Sequence, residues 1–434
     1  MRKMKDSGVK WVGQIPFSWK VYKVKQIANS NSEVLPENYD EEQEIDYIEI
    51  GSVTYEHGVR TTEKMKFGNA PSRARRIVHN GDTIISTVRT YLKAIAYIDD
   101  SLADKIVSTG FSVVTPHKDV VAKFLYYALS THSFISNVEA HSVGISYPAI
   151  NNINLMDLKI VLPMQCEQIQ IASYLNSKCS KIDGIIEKQQ AIIEKLKEYK
   201  LSVITETVTK GLNPNAEMKD SGNIEIGKIP SISRPTKLKY LCNTQGRIGF
   251  KGYTKNDLVD EGEGAYTLGA SHLNNGKIDL TDPVFISWEK YYESPEIMVK
   301  QNDILIVQRG STIGKVAIVD KNYGEVTINP SLVLINKIHI DSKYLLYALS
   351  ARYIVNYINL IGTTTAIPMI SQKQINDLVV IVPPDSIQIS VVKYLDEKCG
   401  KIDANILKKQ KLIDKLQEYK KSLIYEVVTG KKEV

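Results

Sequence analysis

Two stretches of the chain carry one helical rhythm of apolar and polar positions. Ile182, Ile185, Gln189, Ile192, Leu196, Tyr199 and Val203 recur at alternating steps of three and four, a heptad with one polar interruption. Ile186 and Ile193 widen the stripe, and Lys and Glu fill the rest. Ile402, Leu412, Leu416, Tyr419 and Leu423 keep the register in the second stretch, with Asn405 and Lys409 at the two remaining places. No Pro or Gly interrupts 185–210, which predicts a rod of about 40 Å at 1.5 Å per residue. A stripe of that length needs a cover, and its own duplicate can supply one. The pattern predicts an antiparallel coiled coil used as a ruler; the alternative is two helices, each packed on its own domain.

Ahead of each helix the rhythm is that of strands. Gly81–Ile98 and Asn302–Val319 each read as two apolar, β-prone runs around a polar, basic turn. Phe111–Pro116 and Ser331–Asn336 read as further buried strands, and KFLYYALS and KYLLYALS as short amphipathic helices.

These likenesses belong to one internal repeat. Met4–Pro16 returns as Met218–Pro230 at an offset of 214, and Ala122–Ser130 as Ser342–Ser350 at an offset of 220. The second offset holds through the tails, where 21 of 38 positions agree between Ala172–Thr209 and Val392–Thr429. A unit of half the chain implies duplicated domains, not a solenoid. The middles, about Ser30–Ser72 and Thr244–Lys300, share little, as expected if one scaffold presents two different readers. The expected class is α+β: two similar α/β domains joined by two long helices in an antiparallel coiled coil, with pseudo-two-fold duplication. The boundaries fall at 1–165, 166–213, 214–385 and 386–434.

Composition narrows the field less. With 434 residues, 43% apolar and 24% charged, the chain suits two cores of ordinary globular character. The net charge of +6 permits a polyanionic partner without demanding one. Cys166, Cys179, Cys242 and Cys399 form no CxxC pair and have no His at zinc-ligand spacing, so they read as core residues in a reducing cytosol. The opening MRKMKDSGVKWVGQIP has no apolar h-region, and no apolar run approaches the ~20 residues that span a bilayer. A cytoplasmic protein is expected.

Catalytic motifs are missing. RGSTIGKV (Arg309–Val316) resembles a phosphate loop, but three residues separate its glycines and Val follows the Lys. VRTYLKA (Val88–Ala94) at the equivalent place has no Gly. INPS (Ile328–Ser331) falls short of an Asn-Pro-Pro-aromatic motif, and no GxSxG or HExxH is present. No cofactor or metal is expected.

Basic turns are the better candidates. Only ten of the 55 basic residues are Arg, and Arg73, Arg75 and Arg76 fall within four positions. The guanidinium fork suits guanine O6/N7 or a phosphate. Arg89 and Lys93 flank Thr90-Tyr91; the second half offers Arg247 and Lys251, then Gln308, Arg309, Ser311, Thr312 and Lys315. GISYPAINN (Gly144–Asn152) and TTAIPMISQ (Thr364–Gln372) form a matched pair of polar turns, in which Ser146, Tyr147 and Thr364 could bond phosphate. Any one of these residues also suits a solvated surface. Their recurrence at equivalent places favours nucleic acid.

The frame GQIPFSW, the APSRARR…GD…STVR.YLK segment, the G.SYPAI turn, the LP…EQ junction at Leu162–Gln168 and the KCSKID…KLKEYK tail resemble type I restriction–modification specificity subunits. The resemblance covers essentially the whole chain, twice. The second copy departs from it with Glu225 and Ser233 where Trp11 and Trp19 stand, and with PPDSIQ (Pro383–Gln388) for PMQCEQ (Pro163–Gln168). These departures put the packing of the second N-terminal segment in question. The resemblance implies that each target-recognition domain reads one half of a split double-stranded DNA target. It also implies that the paired helices fix the unread gap and dock two methyltransferase subunits, which restriction–translocase subunits can join. A stand-alone two-headed DNA regulator and a coiled-coil adaptor are the rival classes. The missing motifs predict that the purified chain alone shows no methyltransferase, nuclease or ATPase turnover; turnover abolished by Lys315→Ala would contradict this.

Overall fold

The computed structural model describes residues 2–249, 252–362 and 367–434. By contact the chain forms two compact units, Met1–Gln189 with Lys411–Val434, and Gln190–Gln410. Both divisions fall inside long helices, so each unit owns part of the central helix, Gln165–Lys210, and part of the C-terminal helix, Asp385–Val428.

In the first unit an antiparallel sheet runs in the order Ile95–Tyr97, Thr83–Ser86, Phe111–Pro116, Ala28–Ser30. In the second unit Val316–Ile318, Ile304–Val307, Leu332–Asn336 and Asn243–Gly246 repeat that order. The expected hairpins are therefore present twice, and Ile84, Ile85, Ile304 and Ile306 lie within 1% of full burial. The short helices Ala122–Leu129 and Ser342–Leu349 accompany these sheets.

The units diverge in a second, mixed sheet. Its shared core is a parallel pair, Glu44–Ile48 with Ile106–Ser108 and Gly264–Leu268 with Val326–Ile328. The fourth strand differs. Ala74–Ile77 pairs with Ile106–Ser108 in the first unit, whereas Leu258–Val259 pairs with Phe285–Ser287, on the other side, in the second. The divergent inserts thus build different edges on one frame.

The N-terminal hairpins keep one register, Met4↔Pro16 and Met218↔Pro230, so the second segment does pack despite its lost tryptophans. The reason lies in a single contact. Buried Trp19 donates its indole N–H to Glu167 at 3.1 Å, and Glu167 also pairs with Arg2. The second copy has Ser233 and Ile387 at these places, so both ends of the contact are lost together. What both copies retain is a buried glutamine at the junction. Gln168 accepts from Val121 N at 2.8 Å and donates to Pro163 O at 3.0 Å; Gln388 accepts from Asp341 N at 3.0 Å and donates to Pro383 O at 2.9 Å. Each amide carboxamide ties the helix start to the domain in front of it.

Both long helices are continuous, 46 and 44 residues, or about 70 Å each. The central helix begins within one residue of the expected boundary, well ahead of the heptad that starts at Ile182, and runs through Gly184, whose cost of about 1 kcal/mol the flanking burial of Ile182 and Ile193 outweighs. Within each unit the helix segments pair antiparallel. Leu175, Cys179 and Ile182 share a core with Leu423, Ile424 and Val427, and Val203, Ile204 and Val208 share one with Val391, Leu395 and Cys399.

The seam differs from the expected one. Ile185, Ile192 and Tyr199 are 43%, 37% and 49% exposed, as are Leu412 and Tyr419 at 41% and 52%. The inward positions are Cys179, Ile182, Ile186, Gln189, Ile193, Leu196, Lys200 and Val203, with Ile402, Ile413, Leu416 and Leu423 on the partner helix. Ile182, Gln189, Leu196 and Val203 satisfy both registers, so the apolar spacing is ambiguous. A polar pair settles it. Lys200 takes the inward place beside Tyr199 because its ammonium reaches both oxygens of Asp403, at 2.8 and 2.7 Å. Lys420 does the same to Asp183, at 2.7 Å to each oxygen. The two pairs occupy equivalent places in the repeat.

At this partial exposure each pair contributes about 1 kcal/mol or less, so its main effect is on register. Lys200→Asp is expected to lower the melting temperature by a few degrees, and adding Asp403→Lys to restore most of the loss. Additive losses in the double variant, read by thermal unfolding, would show that the pair does not act as a unit.

Candidate nucleic-acid interface

Each hairpin turn is gripped by the polar turn that precedes the next short helix. In the first unit Ile150 N donates to Thr87 O at 2.9 Å, Thr90 N to Pro148 O at 3.3 Å, and Val88 bridges to Ala149. Thr90 Oγ1 donates to Ser142 Oγ at 2.8 Å. Val143 and Ala149 exchange backbone bonds of 2.8 and 3.0 Å, which lifts Ser146 and Tyr147 into solvent at the tip of a small loop. In the second unit Ile370 N donates to Gln308 O at 2.9 Å, Gly310 N to Pro368 O at 2.9 Å, and Arg309 bridges to Met369. Two motifs that read as separate turns along the chain form one clasp in each domain.

The clasps bring together Arg89, Lys93, Ser146 and Tyr147 in one domain and Gln308, Arg309, Ser311, Thr312 and Lys315 in the other. Arg89 lies 5.0 Å from the centre of the Tyr147 ring, and Lys93 pairs with Glu139 at 3.7 Å. Arg309, Ser311 and Thr312 are exposed. Gln308 donates to Pro330 O at 3.0 Å and Lys315 to Asn274 Oδ1 at 3.2 Å. Lys251 and Thr364 fall outside the described residues.

Two further arginine groups sit elsewhere. Arg73, Arg75 and Arg76 were expected on a turn; Arg73 does sit in one, but Arg75 and Arg76 lie on the strand Ala74–Ile77, which pairs with Ile106–Ser108. A register shift beside Arg75 interrupts the two-residue alternation that would mark a strand, so buried Ala74 and half-buried Ile77 fall three apart. Arg73 pairs with Glu49, and the neighbouring Tyr47 hydroxyl and Glu49 carboxylate hold its pKa above the ordinary range. Arg75 lies 4.8 Å from the Phe67 ring centre, and burial lowers the Arg76 guanidinium. Arg247 is buried; it donates to Ile328 O at 3.0 Å and Thr327 Oγ1 at 3.1 Å, bracing the parallel strand. RGSTIGKV spans the turn between two strands, Ile304–Val307 and Val316–Ile318, so no helix N-terminus follows it to receive phosphate.

Sequence reasoning missed the apolar members of the first clasp. Val143, Ile145, Tyr91 and Leu92 are exposed, Ile145 completely. Isolated apolar residues inside otherwise polar turns were the available signal. It also missed a backbone feature. Arg89 and Lys93 have φ of 49° and 55°, a left-handed conformation that costs a side chain about 1–2 kcal/mol. Gly310 and Gly314 occupy the same two places in the second clasp, with φ of 112° and 79°.

Two similar α/β domains, each with a solvent-facing, cation-bearing clasp, and a shared helix pair define a two-headed recognition protein. The type I restriction modification DNA specificity domain matches residues 16–198 and again 249–418, and the chain belongs to that family. It is 26% identical to the type I restriction enzyme MjaVIII specificity subunit of Methanocaldococcus jannaschii, over 71% of this chain and 69% of that one. The MjaIX specificity subunit of the same organism is 24% identical over 96% of this chain and 94% of its own. A solved chain from work on complex assembly and conformational transition of the type I R-M system shares the fold, with a TM-score of 0.70, 19% identity, and coverage of 95% and 98%. Among the described residues no helix is long and apolar enough to cross a membrane.

Buried aspartates support both hairpins from below. Asp82 Oδ2 accepts from His79 N at 2.8 Å, and Asp303 Oδ2 from Lys300 N at 2.7 Å. Burial pushes the Asp303 carboxyl up to about 6. Its folded pKa thus exceeds its unfolded one, so ionisation opposes folding. Stability is highest where the group is protonated, falls as pH rises from about 4 to 6, and stays lowered above. Asp303→Asn keeps the acceptor and removes the charge, so it should stabilise the protein at pH 7.5 by about 1–2 kcal/mol. A lower melting temperature for the variant at that pH would contradict this.

Proposed function

We propose that the chain is the recognition subunit of a type I restriction–modification complex, working on double-stranded DNA in the cytoplasm. Each clasp reads one half of a split target, through Arg89, Lys93, Ser146 and Tyr147 in the segment 1–165, and through Gln308, Arg309, Ser311, Thr312 and Lys315 in 214–385. Lys251 and Thr364 join the second set. Arg73 in its turn and Arg75 and Arg76 on the adjoining strand contribute field and sheet stability. The observation that carries this reading is one clasp geometry built twice with different side chains, on a chain of this family.

The subunit chooses the sequence and does no chemistry itself. Its partners are two methyltransferase subunits, which restriction subunits can join, and the continuous helices set the unread gap. The outward stripe supports the docking role. Ile192 and Tyr199 on the central helix and Leu412 and Tyr419 on the C-terminal helix are exposed at equivalent places, which suits two copies of one partner. A stand-alone regulator has no use for such a stripe.

Genome-wide methylation mapping with and without this gene tests the reading. A split motif that vanishes on deletion is expected; an unchanged methylome in cells that make the complex would refute it. Tyr199→Glu with Tyr419→Glu should abolish copurification of the methyltransferase with little change in melting temperature. Undiminished copurification would place the docking surface elsewhere.

A further inference from the structure

Arg89 is held where its backbone resists it. The second clasp shows what the turn prefers at that position, since Gly310 adopts the left-handed conformation freely. The first clasp instead carries the longest cationic side chain there. Lys93, in the same predicament, is occupied by Glu139. Among the described residues Arg89 makes no ion pair; its guanidinium faces only the Tyr147 ring, 5.0 Å from the centroid. A strained residue whose side chain is exposed and makes no ion pair in the fold points to a role outside it.

The surroundings say what that is. Ile145 is fully exposed, and Tyr147, Tyr91 and Leu92 are exposed on the same clasp. A phosphate offers nothing to apolar groups, whereas a base edge offers guanine O6 and N7 to an Arg fork and a thymine methyl to an aliphatic side chain. Stacking on Tyr147 fixes the plane of the fork before DNA arrives.

Resting on the DNA-recognition reading above, we infer that Arg89 determines one guanine of the first half-site. Tyr147 is its positioning residue, and Ile145 contacts a neighbouring base. The side chain acts from a turn whose conformation only glycine would favour. The second domain reads differently because Gly310 gives up this side chain and Arg309, one residue earlier, takes a different direction from the clasp.

The test uses the complex of the full chain with its methyltransferase. Methylation is measured on DNA in which each base pair of the split motif is varied in turn, alongside thermal unfolding. Arg89→Gly, which relieves the backbone, is expected to melt at the same temperature or higher. It should lose about tenfold or more in discrimination at one base pair of one half-site. The other half-site stays unaffected. Arg89→Lys, which keeps the charge and loses the fork, should lose the same discrimination. A wild-type complex with no split motif at all would defeat the recognition reading itself. With that motif present, Arg89→Gly methylation that keeps every base preference would overturn the assignment. So would a uniform loss of affinity with a salt slope lower by about one, the signature of a phosphate contact.

Discussion

An apolar seam along two 44–46-residue helices is the constraint on which the rest of this chain depends. Neither helix can leave Ile186, Ile193, Ile402 or Ile413 in water, and each covers the other within both units. Because the duplicates pair antiparallel, a shift in one helix would have to be matched in its partner, and it would break the inward Lys200–Asp403 and Lys420–Asp183 pairs as well as uncover the apolar seam. The tails are accordingly the most alike parts of the two halves. The buried Gln168 and Gln388 extend the constraint to each domain, anchoring its short helix to the start of a long one.

Freedom grows with distance from that seam. The antiparallel sheet keeps its order in both units, because its strands pack directly on the helix-side core. The mixed sheet keeps only its parallel pair and changes edges. At the clasp the backbone hydrogen bonds match almost one for one, yet Val88-Arg89 is replaced by Arg309-Gly310. A scaffold that conserves backbone geometry while exchanging protruding side chains can change what it reads without refolding.

Much of this was legible in the residues. The duplication follows from residues repeated at fixed offsets, and both hairpins, the buried strands and the long helices from apolar spacing. The seam did not, because steps of three-four and four-three share every second position, and the residue that decides between them, Lys200, is polar. The Arg73–Arg76 segment misled in part for the opposite reason: three arginines look like a solvent turn, and Arg73 keeps to one, whereas Arg75 over the Phe67 ring and half-buried Arg76 lie along a strand. Arg247 was exposed by charge and buried by geometry. The strain at Arg89 is a backbone angle, invisible until the glycine at the equivalent place is aligned with it.

The central claim is that two independent readers share one duplicated scaffold. Exchanging segments 2–165 and 214–385 while leaving both helices in place addresses it most directly, with methylation mapping of the exchanged chain in complex with its methyltransferase. The account predicts the same two half-sites in reversed order with the gap unchanged. Half-sites that keep their original order, or a new sequence in either, would contradict it.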